Sequence, residues 1–473
     1  MICLNILYLL TVIGQFSSVT SHDVQYQDLA SSFSAYFSNF SVGRNIISQA
    51  ISALIESHLR NGNIQAANSV ISDALKEIDN ATLNIAVTGE SGAGKSSFIN
   101  ALRELGPEDE GAAPTGVVET TMERIPYKHP KFPRVTLWDL PGIGSTNFPP
   151  KDYLQKVKFV EYDFFIIVSA TRFKNNDIEL AKMIKSMKKN FYFVRSKVDF
   201  DLRNEQESKP KSFDRAKVLQ QIRNNCLRIF NENNIDEAPV FLISNRDLSE
   251  YDFPILIDTL LRDLPTPKHH IFMLFKPDIN EAAIESKRDS LKQRIWLEAF
   301  KAGLKAGLKA GLKAGLEAGL EAGLEAVLEA GLKATVKAVV KAAVNAAVPI
   351  LDIFCDGEVE KLKEILSNYR VLFGVDDESL QRLAKDLQVP VEQLKAGLIS
   401  PGLLEKKAKS IEYILLTNLE NFIPSNIFLL RGAFTFSKIY YLQLQFLDTV
   451  ADDAKVLLKE TYSTKKKLDF PIN

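Results

Sequence analysis

The residues best suited to chemistry lie between Gly89 and Ser96, in the stretch GESGAGKS. It fits the pattern G-x-x-x-x-G-K-[ST], in which glycines let backbone N–H groups turn inward around phosphate oxygens. Lys95 is placed to reach the β- and γ-phosphates and the Ser96 hydroxyl to ligate Mg²⁺. The apolar run Leu83–Thr88 before it reads as a strand, and Ser97–Leu105 after it reads as a helix. That is the context the pattern requires, and the helix N-terminus adds positive partial charge facing the phosphates.

Three further stretches bear on what is held. LWDLPG supplies Asp139 and Gly142, a carboxylate to hold Mg²⁺ through water and an N–H for the γ-phosphate. RSKVD supplies Lys197 and Asp199. A carboxylate there accepts from guanine N1–H and its exocyclic amine, a donor pair adenine lacks. Each hydrogen bond to a charged acceptor is worth about 1.5–3 kcal/mol, enough to select the base. LISN places Ser244 and Asn245 where they touch guanine O6. Lys-x-Asp or Asp-x-x-Gly alone is also an ordinary surface turn. What argues for a site is their order, each after an apolar run, at the carboxyl strand ends where open α/β sheets bind ligands. Between the glycine loop and Asp139, EGAAPTGVVETTMERIPY is the segment expected to sense the γ-phosphate. In it Thr115 and Thr121 are candidates to close on Mg²⁺, and Glu119 to direct water; a merely polar loop is the competing reading.

The elements that must position these residues follow from apolar periodicity. Strand-length runs fall at Leu83–Thr88, Val135–Trp138, Phe164–Val168, Phe191–Val194 and Val240–Ile243. Helical stretches such as Asp177–Lys188 and Arg215–Asn231 lie between them, an alternation that predicts a parallel sheet flanked by helices. Phe33 to about Asp79 is helical in pattern, and so is the chain beyond Pro267. The fold class is therefore α/β, with a mostly parallel sheet plus an all-α helical domain built from the N- and C-terminal segments. The expected division is 1–25 apolar leader, 26–80 N-terminal helices, 81–267 nucleotide domain and 268–473 C-terminal helices.

With 473 residues, 46% of them hydrophobic, and a net charge of -1, the chain is a multi-domain globular protein with no electrostatic reason to bind nucleic acid. Three scattered cysteines make no disulfide framework and point to a reducing compartment. Ile6–Ile13 resembles a signal-peptide core, without a basic flank. A secreted form would offer the sequons at Asn39 and Asn80. Gly14 follows Ile13 and cannot be acylated as written. Residues 301–348 begin with a K/E-A-G-L repeat. Four residues overshoot a helical turn by about 40°, so the leucine stripe winds around the axis and gives no straight seam. Each interior glycine costs about 1 kcal/mol against alanine. The expectation is a weakly helical low-complexity insertion that disturbs the helical domain. Lys465–Lys467 form a basic tail, of a kind either solvated or drawn to anionic membrane.

The stretches DALKEID, GAGKSSFINALR, GVVETTMERIPYKHP, WDLPGIGSTNFPP, YDFFIIVSATRFKNND and KQRIWLEAF resemble the interferon-inducible immunity-related GTPases, in the branch with the ordinary P-loop lysine. The resemblance runs roughly from Ser31 to Lys459, the repeat excepted. It implies a Ras-like P-loop G domain on a helical domain made from both chain ends. It also implies a cytosolic, interferon-induced enzyme that hydrolyses GTP to GDP with Mg²⁺. Such an enzyme assembles, dependent on GTP, on ER, Golgi or pathogen-vacuole membranes in innate defence. Implied partners are GTP, further copies paired through G domains, other GTPases of the family and intracellular membranes. Carried over by position, nucleotide contacts fall on Gly92, Gly94, Lys95, Ser96, Ser97, Thr115, Gly116, Lys197, Asp199, Ser244 and Asn245. Ser96, Thr115 and Asp139 would hold the metal, and Lys95, Ser96, Thr115 and Glu119 would serve catalysis. Ser196 departs from the usual Thr or Asn but keeps a hydroxyl. Ile143 stands where Ras-like enzymes often place a water-orienting Gln, so basal hydrolysis is expected to be slow unless pairing supplies a group such as Glu119. The alternative is a nucleotide-gated binding module in which hydrolysis is incidental.

Overall fold

The computed structural model describes residues 22–40, 44–115, 123–141, 156–171, 173–235, 239–328, 358–403 and 428–469. Residues 1–21 of the leader, Gly116, Glu119, Thr121, Gly142 and Ile143 lie outside these residues, as does the end of the repeat. Two compact units emerge: Met1–Glu77 with Arg288–Asn473, and Ile78–Lys287.

The first unit opens with α1 (His22–Ser38), α2 (Gln49–Arg60) and α3 (Ile64–Asn80). Ser48 caps α2 by accepting the Ile51 N–H at 3.2 Å, satisfying a donor the helix cannot use. In the second unit the chain runs β1 (Leu83–Gly89), α4 (Lys95–Leu102), β2 (Ile125–Lys128), β3 (Val135–Asp139), β4 (Phe164–Ser169), α5 (Asn175–Ser186) and β5 (Asn190–Arg195). It continues through α6 (Val198–Ser208), α7 (Arg215–Glu232), β6 (Val240–Leu242), α8 (Phe253–Asp263) and α9 (Thr266–Phe275). The six strands are ordered β2-β3-β1-β4-β5-β6. All neighbours are parallel except β2, which runs antiparallel to β3. Every residue of β4 is buried, as a parallel strand covered on both faces must be.

The strands anticipated from apolar runs are present, with ends shifted by a residue or so. β2 was not anticipated. Its residues sit inside the segment read as a γ-phosphate sensor, alternate between half-buried and exposed, and include Pro126. Proline is tolerated because the strand lies on the sheet edge.

Then follow α10 (Glu281–Leu328), α11 (Glu358–Leu372), α12 (Asp377–Leu387), α13 (Val391–Lys395) and α14 (Phe428–Asp469). Within the first unit, Gln293 of α10 accepts the Ile46 N–H at 3.2 Å and donates to Arg44 O at 3.0 Å. Tyr36 stacks on Trp296 at 4.4 Å. These bonds join the two chain ends into one helical body.

From Lys301 to Leu328 the repeat continues α10 without a break. A Cβ on Gly303 would come within 2.7 Å of Gly432 O, and one on Gly432 within 2.9 Å of Gly303 O. The glycines therefore let α10 and α14 approach backbone to backbone. A winding stripe cannot make a long seam, yet one or two small residues suffice for a local crossing.

Two buried titratable groups in the sheet unit carry opposite pH signatures. Asp177, in the first turn of α5, accepts the Lys174 N–H at 3.1 Å. Burial pushes its carboxyl from 3.8 up to about 6. The stability tied to that shift is complete below 3.8 and is lost as pH rises through about 6. His129, in the β2–β3 turn, is 2% exposed and packs edge-on against Phe132 and Phe275. Burial holds its imidazole down from 6.5 to about 4, so its contribution is complete above 6.5 and is lost as pH falls through about 4. The two slopes offset each other across one window. We expect Asp177→Asn to leave a stability that rises more steeply with pH between 4 and 6.5, and His129→Gln one that rises less or falls. Each change is about 3 kcal/mol at most, and urea denaturation midpoints across that range check both.

Candidate nucleotide-binding site

The loop Glu90–Gly94 joins β1 to α4. Its backbone turns left-handed at Gly92 (φ 74°) and Gly94 (φ 93°), conformations that glycine adopts without steric cost. Gly94 is the N-cap of α4. Lys95 is the first helical residue, 9% exposed, and its Nζ donates to Glu90 O at 3.1 Å, so the side chain arches back over the loop.

The loop's carbonyls are held from outside. Lys197 Nζ donates to Gly92 O at 2.8 Å, Ser196 Oγ to Ala93 O at 2.6 Å, and Asn245 Nδ2 to Gly94 O at 3.1 Å. A trans peptide points its N–H opposite its C=O. Fixing the Ala93 and Gly94 carbonyls therefore turns the N–H groups of Gly94 and Lys95 to the other side. That arrangement suits an anion at the N-terminus of α4.

Beside it, Asp139 ends β3, 2% exposed and paired with Val87 of β1. Ser96, half-buried, occupies the first turn of α4. A carboxylate and a hydroxyl next to a phosphate cradle fit Mg²⁺, which is usually held by one or two carboxylates plus substrate phosphates. Ser97 is half-buried, and Thr115 is exposed at the end of its described segment. Asn100 of α4 pins the chain just before Thr115, donating to Ala113 O at 2.9 Å and accepting the Ala113 N–H at 2.7 Å.

Lys197, exposed and left-handed (φ 58°), is the N-cap of α6, and Asp199 follows half-buried in the first turn. β5 lies two strands from β1, about 10 Å at the usual strand spacing, a span a nucleoside triphosphate can bridge. Ser244 is buried and its Oγ accepts the Arg246 N–H at 3.2 Å. The Ser244 hydroxyl and Asn245 amide are thus engaged with backbone groups of the loops.

The described residues of the sequence-derived set, Thr115 excepted, thus lie along the carboxyl ends of β3, β1, β5 and β6; Thr115 is exposed at the end of its segment. The hydroxyl kept at Ser196, with the Lys197 ammonium, ties the Lys197–Asp199 turn to the P-loop. Sequence reading missed Asn100, and also Arg103, whose guanidinium donates to Gly111 O at 2.9 Å and Lys128 O at 3.0 Å. Nothing in the local pattern separates these from ordinary helix residues. Their partners are backbone carbonyls brought close only by the fold.

A model of the interferon-inducible GTPase family matches residues 48–324 and 321–461. The chain is 51% identical over 448 residues to a mouse protein named interferon-inducible GTPase 1, covering 94% of this chain and 98% of that one. It is 43% identical over 458 residues to mouse interferon-gamma-inducible GTPase 10, covering 96% and 99%. A crystal structure of Aquifex aeolicus Era bound to GDP·AlF4⁻ matches at 22% identity and a TM-score of 0.27, over 38% of this chain and 56% of that one.

Proposed function

This chain belongs to the interferon-inducible GTPase family, and from that membership we propose that it takes GTP and Mg²⁺ at the P-loop cleft and assembles in its GTP state on intracellular membranes, including pathogen-containing vacuoles, in cell-autonomous defence. The chain is a GTPase. The observation that supports the siting is the tie between the base-reading turn and the P-loop. Ser196, Lys197 and Asn245 all donate to P-loop carbonyls, so phosphate cradle and base reader form one rigid unit.

In this reading the N–H groups of Gly94 and Lys95, with the Lys95 ammonium, bind the β- and γ-phosphates. Gly92 and Ser97 shape the same loop, and Thr115 with Gly116 closes over the γ-phosphate. Ser96, Asp139 and Thr115 would hold Mg²⁺, which when bound neutralises charge building on the phosphate oxygens. Asp199 accepts from the guanine edge, Lys197 lies along the base, and the Ser244–Asn245 backbone meets O6. Gly142 reaches the γ-phosphate with its N–H.

Asp199→Asn tests the base assignment, because an amide presents a donor where guanine presents donors. Affinity for GDP is expected to fall by about 10–100-fold, with ADP binding unchanged. GDP binding that survives intact overturns the assignment. Pairing has its own test. With Ile143 after Gly142, no Gln is available there to orient water, and a second G domain completes the site with Glu119 as the carboxylate. Turnover per molecule is expected to rise at least several-fold across a dilution series from nanomolar to tens of micromolar, and Glu119→Ala to flatten that rise. Turnover that stays flat in the unaltered protein rules out pairing as the activator. Among the described residues no helix is long and apolar enough to cross a membrane.

A further inference from the structure

The turn that reads the base is strained and needs external support. Lys197 has φ 58° without being glycine, a left-handed conformation that a side chain bearing a Cβ adopts only at a cost. Main-chain bonds hold the turn's edges: Ser196 N–H to Ser169 O at 2.9 Å, and Val198 N–H to Ile243 O at 3.3 Å. Neither spans it. A side-chain group that does is the guanidinium of Arg195, the last residue of β5. It is 6% exposed, and its Nη1 donates to Ser196 O at 2.5 Å. Its Nη2 donates to the Asp201 carboxylate in the first turn of α6. Asp201 also receives a backbone tie, its N–H donating to Lys197 O at 3.3 Å.

We infer that Arg195 and Asp201 are positioning residues for base recognition: the Arg195 fork fastens the strand side of the Lys197–Val198–Asp199 turn to its helix side and so aims the Asp199 carboxylate. The planar fork suits this role, since its donors lie in a fixed geometry that lysine cannot copy. A purely structural ion pair would stabilise the sheet equally for any ligand. This one closes a loop of seven residues, 195 to 201, with the proposed base reader inside it. Asp201 also lines, with Phe200, Lys197 and Gly92, a cavity of about 320 Å³ beside the P-loop, so the acceptor of the Arg195 fork stands at the site's wall. The inference rests on the assignment of Asp199 as the base reader.

The test compares GDP with inosine diphosphate, which keeps N1–H but lacks the exocyclic amine, on the full-length protein. A misaimed Asp199 loses two bonds to GDP and one to inosine diphosphate. Arg195→Met and Asp201→Ala are each expected to lower the GDP-to-inosine-diphosphate affinity ratio about tenfold. The double variant should be no worse than either single one, and Asp201→Asn, which keeps an acceptor, should recover part of the ratio. Asp199→Asn is the reference. If it retains the guanine preference, the base-reader assignment itself fails. If it loses the preference while the Arg195 and Asp201 variants keep it, only the positioning role fails. Equal weakening of both nucleotides likewise makes the pair merely structural. Should Arg195→Met fail to fold, the half-exposed Asp201 variants give the same reading.

Discussion

Lys95→Ala is expected to abolish GTP turnover, lowering kcat/KM by about 10³-fold or more while leaving the fold in place. The side chain is 9% exposed and curls over the P-loop to Glu90 O at 3.1 Å. That places the only full positive charge of the P-loop on the concave side, where backbone N–H groups contribute partial charge alone. Phosphoryl transfer depends on charge stabilisation and positioning more than on covalent chemistry. Fixed charges aimed at oxygens that gain charge in the transition state are commonly worth 10²–10³ each. The ammonium also contributes to ground-state binding, so affinity for GTP falls too. Thermal unfolding should shift by only a few degrees, because removing a buried cation also removes its desolvation cost. The same variant separates two readings of the family's behaviour. If nucleotide controls membrane recruitment, turnover and recruitment are lost together. Recruitment that persists without turnover makes hydrolysis incidental to attachment.

Much of the sheet unit is legible in the chain because its signals are local. The run Leu83–Thr88, the glycine loop and the helix after it announce themselves by residue type and spacing, and so do Asp139, Lys197 and Asp199. What resisted reading depends on partners distant in sequence. β2 is four residues long and carries a proline; it exists because β3 offers it an edge. α6 begins inside the RSKVD stretch with the acidic run VDFDLRNEQES, and its buried apolar anchors are Val198 and Leu202, too few to form a visible stripe. The bracing bonds of Asn100, Arg103 and Arg195 go mostly to backbone groups that no residue pattern reveals. The repeat is hard to read for a different reason. Its propensity and charge pattern argue against a lone helix, but α10 enters it already formed from Glu281. Propagation adds one hydrogen bond per residue without a new nucleation cost.

Gly89→Ala is expected to be the most damaging single substitution in the sheet unit. Gly89 ends β1 at φ 137°, opposite Val168 of β4. A Cβ there would lie 2.0 Å from Val168 O and 3.0 Å from Val168 C. Those atoms belong to a buried strand paired on both sides, with β1 and β5, so neither can yield cheaply. Two costs combine. The backbone conformation alone strains an L-residue by about 1–3 kcal/mol, and relieving the overlap requires parting β1 from β4 where the P-loop begins. A loss of about 4 kcal/mol or more is expected in urea denaturation, with GDP binding lost even in protein that remains folded. Gly92→Ala is the matched control. It too is left-handed, at φ 74°, but a Cβ there meets nothing within 4 Å. Only the conformational term applies, about 1–2 kcal/mol, and the fold should survive. If the two variants unfold at the same urea concentration, the close approach of β1 to the Val168 carbonyl does not govern this corner. If Gly89→Ala alone collapses, the glycine that opens the motif is required by the sheet, before any phosphate arrives.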